Sequence, residues 1–136
     1  MPYTSPDPKD IQDVLHHKTI AVVGLSDKTY RASYGVAVYL QRAGYKIYPV
    51  NPTLTEVLGE KAYPDLAALP ETVDIVNVFR RSEEVAGIAD AAIEHGAKAL
   101  WLQLGVVDKE AAARAQEAGL TVIMDKCIKI EHARNR

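Results

Sequence analysis

The sequence contains a single cysteine, Cys127, among its 136 residues. One cysteine cannot form an internal disulfide, so nothing in the cysteine usage indicates an oxidising compartment. The sequence also lacks an excess of charge, because 16 Lys and Arg face 18 Asp and Glu and the two signs are interspersed. Without a basic field on the protein, we expect no nucleic-acid partner.

The sequence also has no long hydrophobic run. No apolar stretch approaches the roughly 18 to 20 residues that cross a bilayer, so we expect no membrane association. The opening, MPYTSPDPKD, has neither the basic start nor the apolar stretch of a signal peptide, and with the lone cysteine it predicts a cytoplasmic protein. Zinc-ligand spacings, a nucleoside-triphosphatase motif, a nucleophile elbow and an acid–base pair are all missing. We therefore predict no metal and no catalytic residues.

What the sequence does contain is five β-branched or apolar runs separated by helical patterns. The predicted strands are 19–25, 45–51, 73–79, 98–105 and 120–125, and the predicted helices are 9–17, 33–44, 82–97 and 108–119. Ser82 and Asp108 are the expected caps of the last two helices. Such an alternation is typical of a doubly wound parallel α/β sheet with helices on both faces. We predict a single domain over 1–136 with strand order 3-2-1-4-5, counting strands along the chain.

The second strand contains Pro49, and the long connection after it, 52–70, has a helical pattern only at 65–69. Proline has no ladder donor, so Pro49 indicates an edge, a bulge or a loop at that point. In a doubly wound sheet, ligands bind beyond the carboxyl ends of the strands. The loops after the first four strands therefore form the candidate site.

The turn after the first strand, in AVVGLSDKTYRASYG (21–35), has one glycine where dinucleotide-binding turns have three. It leads into a helix, whose free N-terminal amides and dipole suit a phosphate. Hydroxyl and cationic side chains can replace the missing glycines as donors. The candidates in this loop are Gly24, Ser26, Lys28, Thr29, Arg31 and Ser33. The alternative is a glycine turn with a capping serine and no ligand.

The loop after the second strand argues against NAD. NAD-binding enzymes commonly end this strand with Asp or Glu, which binds the ribose diol, whereas this chain has Asn51-Pro52. An amide does not repel a nearby phosphate, so Asn51 favours a ligand with an additional phosphate. The alternative is that Asn51 only shapes the turn before Pro52.

The loop after the third strand begins with an aromatic ring and two cations. Phe79 can pack on an adenine, and Arg80 or Arg81 can hold a phosphate. Either arginine alone can instead be a surface charge paired with Glu83 or Glu84. The fourth loop adds an amide and a glycine to the same rim, Gln103 and Gly105.

Five segments, in order, resemble the small stand-alone CoA-binding domain proteins and the CoA-binding domain of succinyl-CoA synthetase alpha subunits. They are VVGLSDKTYRASYGVAVYL, GYKIYPVNP, VDIVNVFRR, GAKALWLQLGV and MDKCIKIEH. The resemblance implies a Rossmann-like fold that binds coenzyme A, with the phosphates at the first loop and the adenine near the loops after strands two and three. The implied contacts are Gly24, Ser26, Lys28, Arg31, Ser33, Asn51, Pro52, Phe79, Arg80, Gln103 and Gly105.

The ligases have a second domain that supplies an active-site histidine, and we expect no such domain here. The four histidines, His16, His17, His95 and His132, are expected to be structural or on the surface. We predict a module that binds CoA or an acyl-CoA as a carrier, sensor or regulator. The alternatives are a ligase component whose catalytic domain is supplied in trans and an NAD(P)-binding redox domain.

Two further features of the sequence leave alternatives open. Cys127 could meet the pantetheine thiol or could be a small buried residue. Several tyrosines would suit a homodimer.

Overall fold

The computed structural model describes residues 1–136, and its centre is a five-stranded parallel sheet. The sheet strands are β1 (Thr19–Val23), β2 (Lys46–Val50), β5 (Ile75–Val78), β6 (Ala99–Leu102) and β7 (Thr121–Ile123). A hairpin of β3 (Glu56–Val57) and β4 (Glu60–Lys61) lies in the connection after β2. All four residues of β5 and of β6 are buried, as expected of strands covered on both faces.

Five helices cover the sheet: α1 (Pro8–Leu15), α2 (Ala32–Arg42), α3 (Val85–His95), α4 (Lys109–Glu117) and α5 (Ile128–Asn135). Helices α3 and α4 pack their small residues on one face of the sheet. Helices α1, α2 and α5 pack on the other face. The predicted Rossmann-like α/β fold with helices on both faces is confirmed.

The predicted strand order is wrong in the place of the third strand. The observed order is β2-β1-β5-β6-β7, which is 2-1-3-4-5 along the chain, because β5 pairs with β1 and not with β2. Pro49 explains the difference: its carbonyl accepts the N–H of Tyr63 on the outer side of β2, at 2.9 Å, and it has no N–H to donate there. A further strand on that side would lack a ladder bond, so β2 is an edge strand. The winding therefore reverses between β1 and β5.

Most of the expected helix signals are confirmed. Asp108 accepts the N–H of Ala111 and caps α4, and Gly96 ends α3 with a φ of 89°. A 3-10 turn, Leu66–Ala68, occupies the predicted helical pattern in the long connection. Ser82 is not a cap, which corrects that prediction. Its Oγ instead donates to the Gly105 carbonyl at 3.3 Å and accepts the Val107 N–H at 2.9 Å, so it joins the loops after β5 and β6.

Helix α5 was not expected from the sequence. It follows β7 after a short turn and packs against α2, and its first residue, Ile128, is fully buried. Its amphipathic pattern is weak because only Ile128 among its eight residues is buried. No helix in the structure combines the length and the hydrophobicity that crossing a membrane requires.

Candidate ligand-binding cleft

The turn after β1 is built on Gly24. Its amide donates to the Val50 carbonyl at 2.9 Å, and its φ is 89°, a conformation that favours glycine. A Cβ at Gly24 would lie 2.3 Å from the carbonyl oxygen of Phe79, which is shorter than any van der Waals contact. Glycine is thus required here so that the loops after β1 and β5 can touch at the reversal point of the sheet.

Two serines shape the same turn. The Ser26 amide donates to Ser33 Oγ, and the Lys28 amide donates to Ser26 Oγ, both at 3.0 Å. Each hydroxyl therefore acts as an acceptor for the protein backbone. A serine hydroxyl also carries one proton to donate, and the structure shows no acceptor for either proton. Both hydroxyls can donate to a ligand in the cleft.

The N-terminus of α2 has the features of an anion site. No side chain caps it, and its first turn contains no acidic residue. The amides of Ala32 and Ser33 have no hydrogen-bond acceptor in the protein. Unpaired amides and the positive end of the helix dipole attract a negatively charged group.

The arginines around this helix end differ in their pairing. Arg81 Nε lies 3.5 Å from carboxylate oxygens of both Glu83 and Glu84, so Arg81 is the surface ion pair that the sequence left open. Arg31 and Arg80 form no ion pair in the structure, and no hydrogen bond from either guanidinium is present. These two cations remain available for a phosphate, which a guanidinium can hold through two parallel hydrogen bonds.

An open cleft of about 740 Å³ lies at the carboxyl edge of the sheet, beside the N-terminus of α2. Its lining consists of Gly24, Ser26, Arg31, Ala32, Ser33, Val36, Phe79, Arg80, Arg81, Glu84, Gln103, Leu104, Val106 and Cys127. A second cleft of about 410 Å³ adjoins it and shares Arg80 and Glu84. Pro52, Leu66 and Ile88 give the second cleft an apolar wall. Arg80 therefore stands between the two.

Gln103 occupies the floor of the larger cleft and is only 5% exposed. Its Oε1 accepts the Ile128 N–H at 2.9 Å and the Asn77 side-chain amide at 3.0 Å. A backbone N–H can only donate, so this bond fixes which end of the Gln103 amide is oxygen. Gln103 therefore holds the start of α5 against the sheet.

Seven of the eleven predicted contacts line the larger cleft: Gly24, Ser26, Arg31, Ser33, Phe79, Arg80 and Gln103. Pro52 lines the second cleft. The structure does not bring the remaining three, Lys28, Asn51 and Gly105, into either cleft.

Two of those three have structural contacts instead. The Asn51 side chain donates to the Leu25 carbonyl at 3.0 Å and accepts from Thr53, so it ties the loops after β1 and β2 together. The Gly105 amide donates to Asp125 Oδ1 at 2.7 Å. Lys28 is exposed and makes no side-chain contact that would hold it over the cleft.

Sequence reasoning missed the wall of the second cleft. Leu66 and Ile88 fit the core pattern of their helices, and the pattern alone did not show that they also border an opening. It also missed Leu104, which is 61% exposed although it directly follows a buried strand. The available signal was the position of Leu104 at the carboxyl end of a predicted strand, where ligands bind in this fold class.

The groups with shifted pKa values lie away from both clefts. Desolvation alone would raise the pKa of Asp74, but hydrogen bonds from the amides of Lys18 and Thr19 hold it below its ordinary value. Burial lowers the pKa of His132, and the charge of Arg136 adds to this effect. Burial and a hydrogen bond to Glu71 raise the pKa of Tyr48. No group of three His, Cys, Asp or Glu side chains is arranged to hold a metal.

Comparison with known proteins identifies the type of domain. Residues 18–133 match the family model described as a CoA binding domain. The chain belongs to this family. It is 48% identical over 130 residues to the uncharacterized protein YneT of Bacillus subtilis, with 95% of this chain and 96% of that protein covered.

Two further relatives relate the family to solved structures and to enzymes. A hypothetical protein from Pyrococcus horikoshii superposes with a TM-score of 0.91 and 37% identity, covering 98% of each chain. Acetate–CoA ligase [ADP-forming] II of Archaeoglobus fulgidus is 30% identical over 98 residues, or 71% of this chain. The match spans only 14% of that ligase, so the ligase contains much that this chain does not.

Proposed function

We propose that the protein binds coenzyme A, free or as an acyl thioester, as a non-catalytic module in the cytoplasm. The observation that carries this proposal is the uncapped N-terminus of α2 with two unpaired arginines, Arg31 and Arg80, beside it. Membership of the CoA binding domain family supports the same ligand.

The two adjoining clefts suit the two ends of this ligand. In the proposal, the pyrophosphate lies at the amides of Ala32 and Ser33, with Arg31 and the serine hydroxyls as further donors. The adenine lies in the smaller cleft, against Pro52. Arg80 borders both clefts, so it can reach the additional phosphate that distinguishes CoA from a simple dinucleotide.

The structure also gives a reason to prefer CoA over NAD. The Asn51 amide is already bonded to Leu25 and Thr53, so it is not free to bind a ribose diol. The reversal point of the sheet therefore offers cationic and amide donors but no acceptor of the kind that NAD-binding proteins place after the second strand.

The deciding experiment is thermal unfolding of the ligand-stripped protein with CoA, 3′-dephospho-CoA, acetyl-CoA or NAD. A ligand that binds only the native state stabilises it by RT ln(1 + [L]/Kd). We expect a clear rise in Tm with CoA, a smaller rise without the 3′-phosphate, and none with NAD. A rise with NAD alone, or none with CoA, would contradict the proposal.

A second candidate is a CoA-binding component of a ligase-like complex. The sequence similarity to part of the Archaeoglobus fulgidus ligase favours this candidate. It predicts a partner that supplies the remaining domains, and affinity purification from the native cell followed by a CoA ligase assay tests it. A CoA ligase activity in the purified complex would support this second candidate over the carrier. A lone monomer or homodimer without ligase activity would support the carrier.

A further inference from the structure

Cys127 lies in the cleft that we assign to CoA. It directly precedes α5, at the position that normally carries a capping side chain, but its sulfur makes no capping hydrogen bond. It is free of any disulfide and partly exposed. Its place in the lining, together with Ser33 and Val36, puts the thiol in the same opening as the uncapped end of α2.

A second observation at this site concerns the other end of the Gln103 amide. Both bonds of the Gln103 side chain use Oε1, one with Asn77 and one with Ile128, the residue next to Cys127. Its Nε2 has no hydrogen-bond partner in the protein. Nε2 is not completely enclosed, and Gln103 lines the cleft, so this donor is placed to reach a ligand there. An amide donor without a protein partner can bond to a carbonyl acceptor of a ligand.

The surroundings of Gln103 and Cys127 indicate which part of a ligand belongs there. Val36, Leu104 and Val106 supply apolar surface to the same cleft, and Leu104 is largely exposed. A flexible chain that carries amide carbonyls and ends in a thiol matches these groups: methylenes for the apolar wall, a carbonyl for Gln103 Nε2, and sulfur for Cys127. The pantetheine arm of CoA has this chemistry.

We propose that Cys127 is a modification site that forms a mixed disulfide with the bound CoA. The proposal rests on CoA being the ligand of the cleft. The oxidant is the symmetric disulfide of CoA. The Cys127 thiolate attacks one sulfur of that disulfide, a new S–S bond forms, and the original S–S bond breaks. The departing CoA thiolate takes the electron pair of the broken bond and, from solvent, the proton that Cys127 lost.

The test compares two disulfides that differ in their phosphates. Reduced protein is mixed with CoA disulfide or with pantethine, which has the same arm without the nucleotide, and adducts are timed by intact mass. We expect one adduct, equal to one CoA less two hydrogen atoms, and none in Cys127→Ser. Because Arg31 and Arg80 attract the phosphates, CoA disulfide should react at least about tenfold faster than pantethine. Arg80→Ala should remove most of that difference.

The outcomes separate this proposal from the one on which it rests. Equal rates with the two disulfides would show only an exposed cysteine and would overturn the proposal, as would an adduct that persists in Cys127→Ser. A rise in Tm with CoA but no adduct would also overturn it while leaving CoA binding intact. The absence of both the Tm rise and the adduct would contradict the two proposals together.

Discussion

The two ends of the parallel sheet treat their polar groups differently. At the amino end, the Asp74 carboxylate accepts the amides of Lys18 and Thr19, and Lys98 Nζ lies 3.7 Å from it. The Asp74 amide in turn donates to Thr19 Oγ1 at 2.8 Å, and the Val73 amide donates to His95 at 2.9 Å. The polar groups of this edge are bonded to one another.

At the carboxyl end, strong donors are left without partners. Arg31 and Arg80 have no carboxylate, the amides of Ala32 and Ser33 have no acceptor, and Gln103 Nε2 is free. Donors without acceptors in the protein contribute no hydrogen bond to the stability of the fold. The amino edge thus contains bonds that hold the sheet together, whereas the carboxyl edge contains the donors that we propose bind a ligand. Variants at each edge test this difference.

Gly24→Ala should have the largest effect on stability, because it disrupts the contact that joins two loops of the carboxyl edge. The added Cβ would overlap the Phe79 carbonyl, at 2.3 Å, in a backbone conformation that alanine disfavours. We expect a loss on the order of 3 kcal/mol in the free energy of unfolding, measured by urea denaturation. The matched control is Gly35→Ala in α2, where a Cβ meets nothing within 4 Å. That change should stabilise the protein by about 0.5–1 kcal/mol, and equal losses in both variants would contradict the explanation.

Arg80→Ala should weaken CoA binding by about 10- to 100-fold, since a hydrogen bond to a charged group contributes roughly 1.5–3 kcal/mol. Stability without CoA should be nearly unchanged, because Arg80 has no partner in the protein. Arg81→Ala is the control, as Arg81 is already paired with Glu83 and Glu84. Isothermal titration calorimetry should show less than about a twofold change for it. A larger effect at Arg81 than at Arg80 would mean that the wrong arginine has been assigned.

Asp74→Ala should have the opposite effect to Arg80→Ala: the protein should lose stability, and its CoA affinity should not change. Two amides would lose their acceptor, which costs about 1–3 kcal/mol. The exposed Asp13, paired with Lys9 at 3.2 Å, is the control, and Asp13→Ala should change stability by less than about 0.5 kcal/mol.

The pH dependence of the Asp74 effect has a defined sign. The folded state lowers the pKa of Asp74, so its contribution is complete above the ordinary value of 3.8 and is lost as pH falls through the lower folded value. The wild type and Asp74→Ala should therefore converge in stability at strongly acidic pH. A constant difference down to the lowest pH would show that the carboxylate charge is not involved.

The fold class could be predicted because strand and helix signals are local. The five buried runs and the helix ends at Gly96 and Asp108 depend on residues close in sequence. Strand order depends on which edge of the sheet remains free, and Pro49 is the one residue in the sequence that marks that edge. Helix α5 was missed because a single buried residue, Ile128, leaves almost no periodic pattern.

The candidate site divides in the same way. Gly24, Arg31 and Ser33 follow from a strand that ends in a turn before a helix, which is a local pattern. The choice between Arg80 and Arg81 needed the positions of Glu83 and Glu84 in space. Asn51 shows what the sequence could not predict. It lies beyond the end of a strand as expected, but its side-chain amide is bonded to a neighbouring loop.

The smallest expected effect concerns α5, the helix that follows Cys127. His132 of this helix lies 2.7 Å from the Tyr39 hydroxyl and contacts the rings of Tyr39 and Tyr45 edge-on. The folded state lowers the pKa of His132, so the unfolded chain takes up a proton first as pH falls below the ordinary value of 6.5. Stability should therefore decrease from that pH until the lower folded pKa is passed.

His132→Gln keeps a hydrogen-bonding side chain but cannot titrate, so its Tm should fall less than that of the wild type as pH drops below 6.5. Because the Asp74 contribution changes only below its ordinary pKa of 3.8, the two pH ranges separate the effect of His132 from the effect of Asp74. Identical profiles of Tm against pH for the wild type and His132→Gln would show that the titration of His132 does not affect stability and that packing alone holds α5.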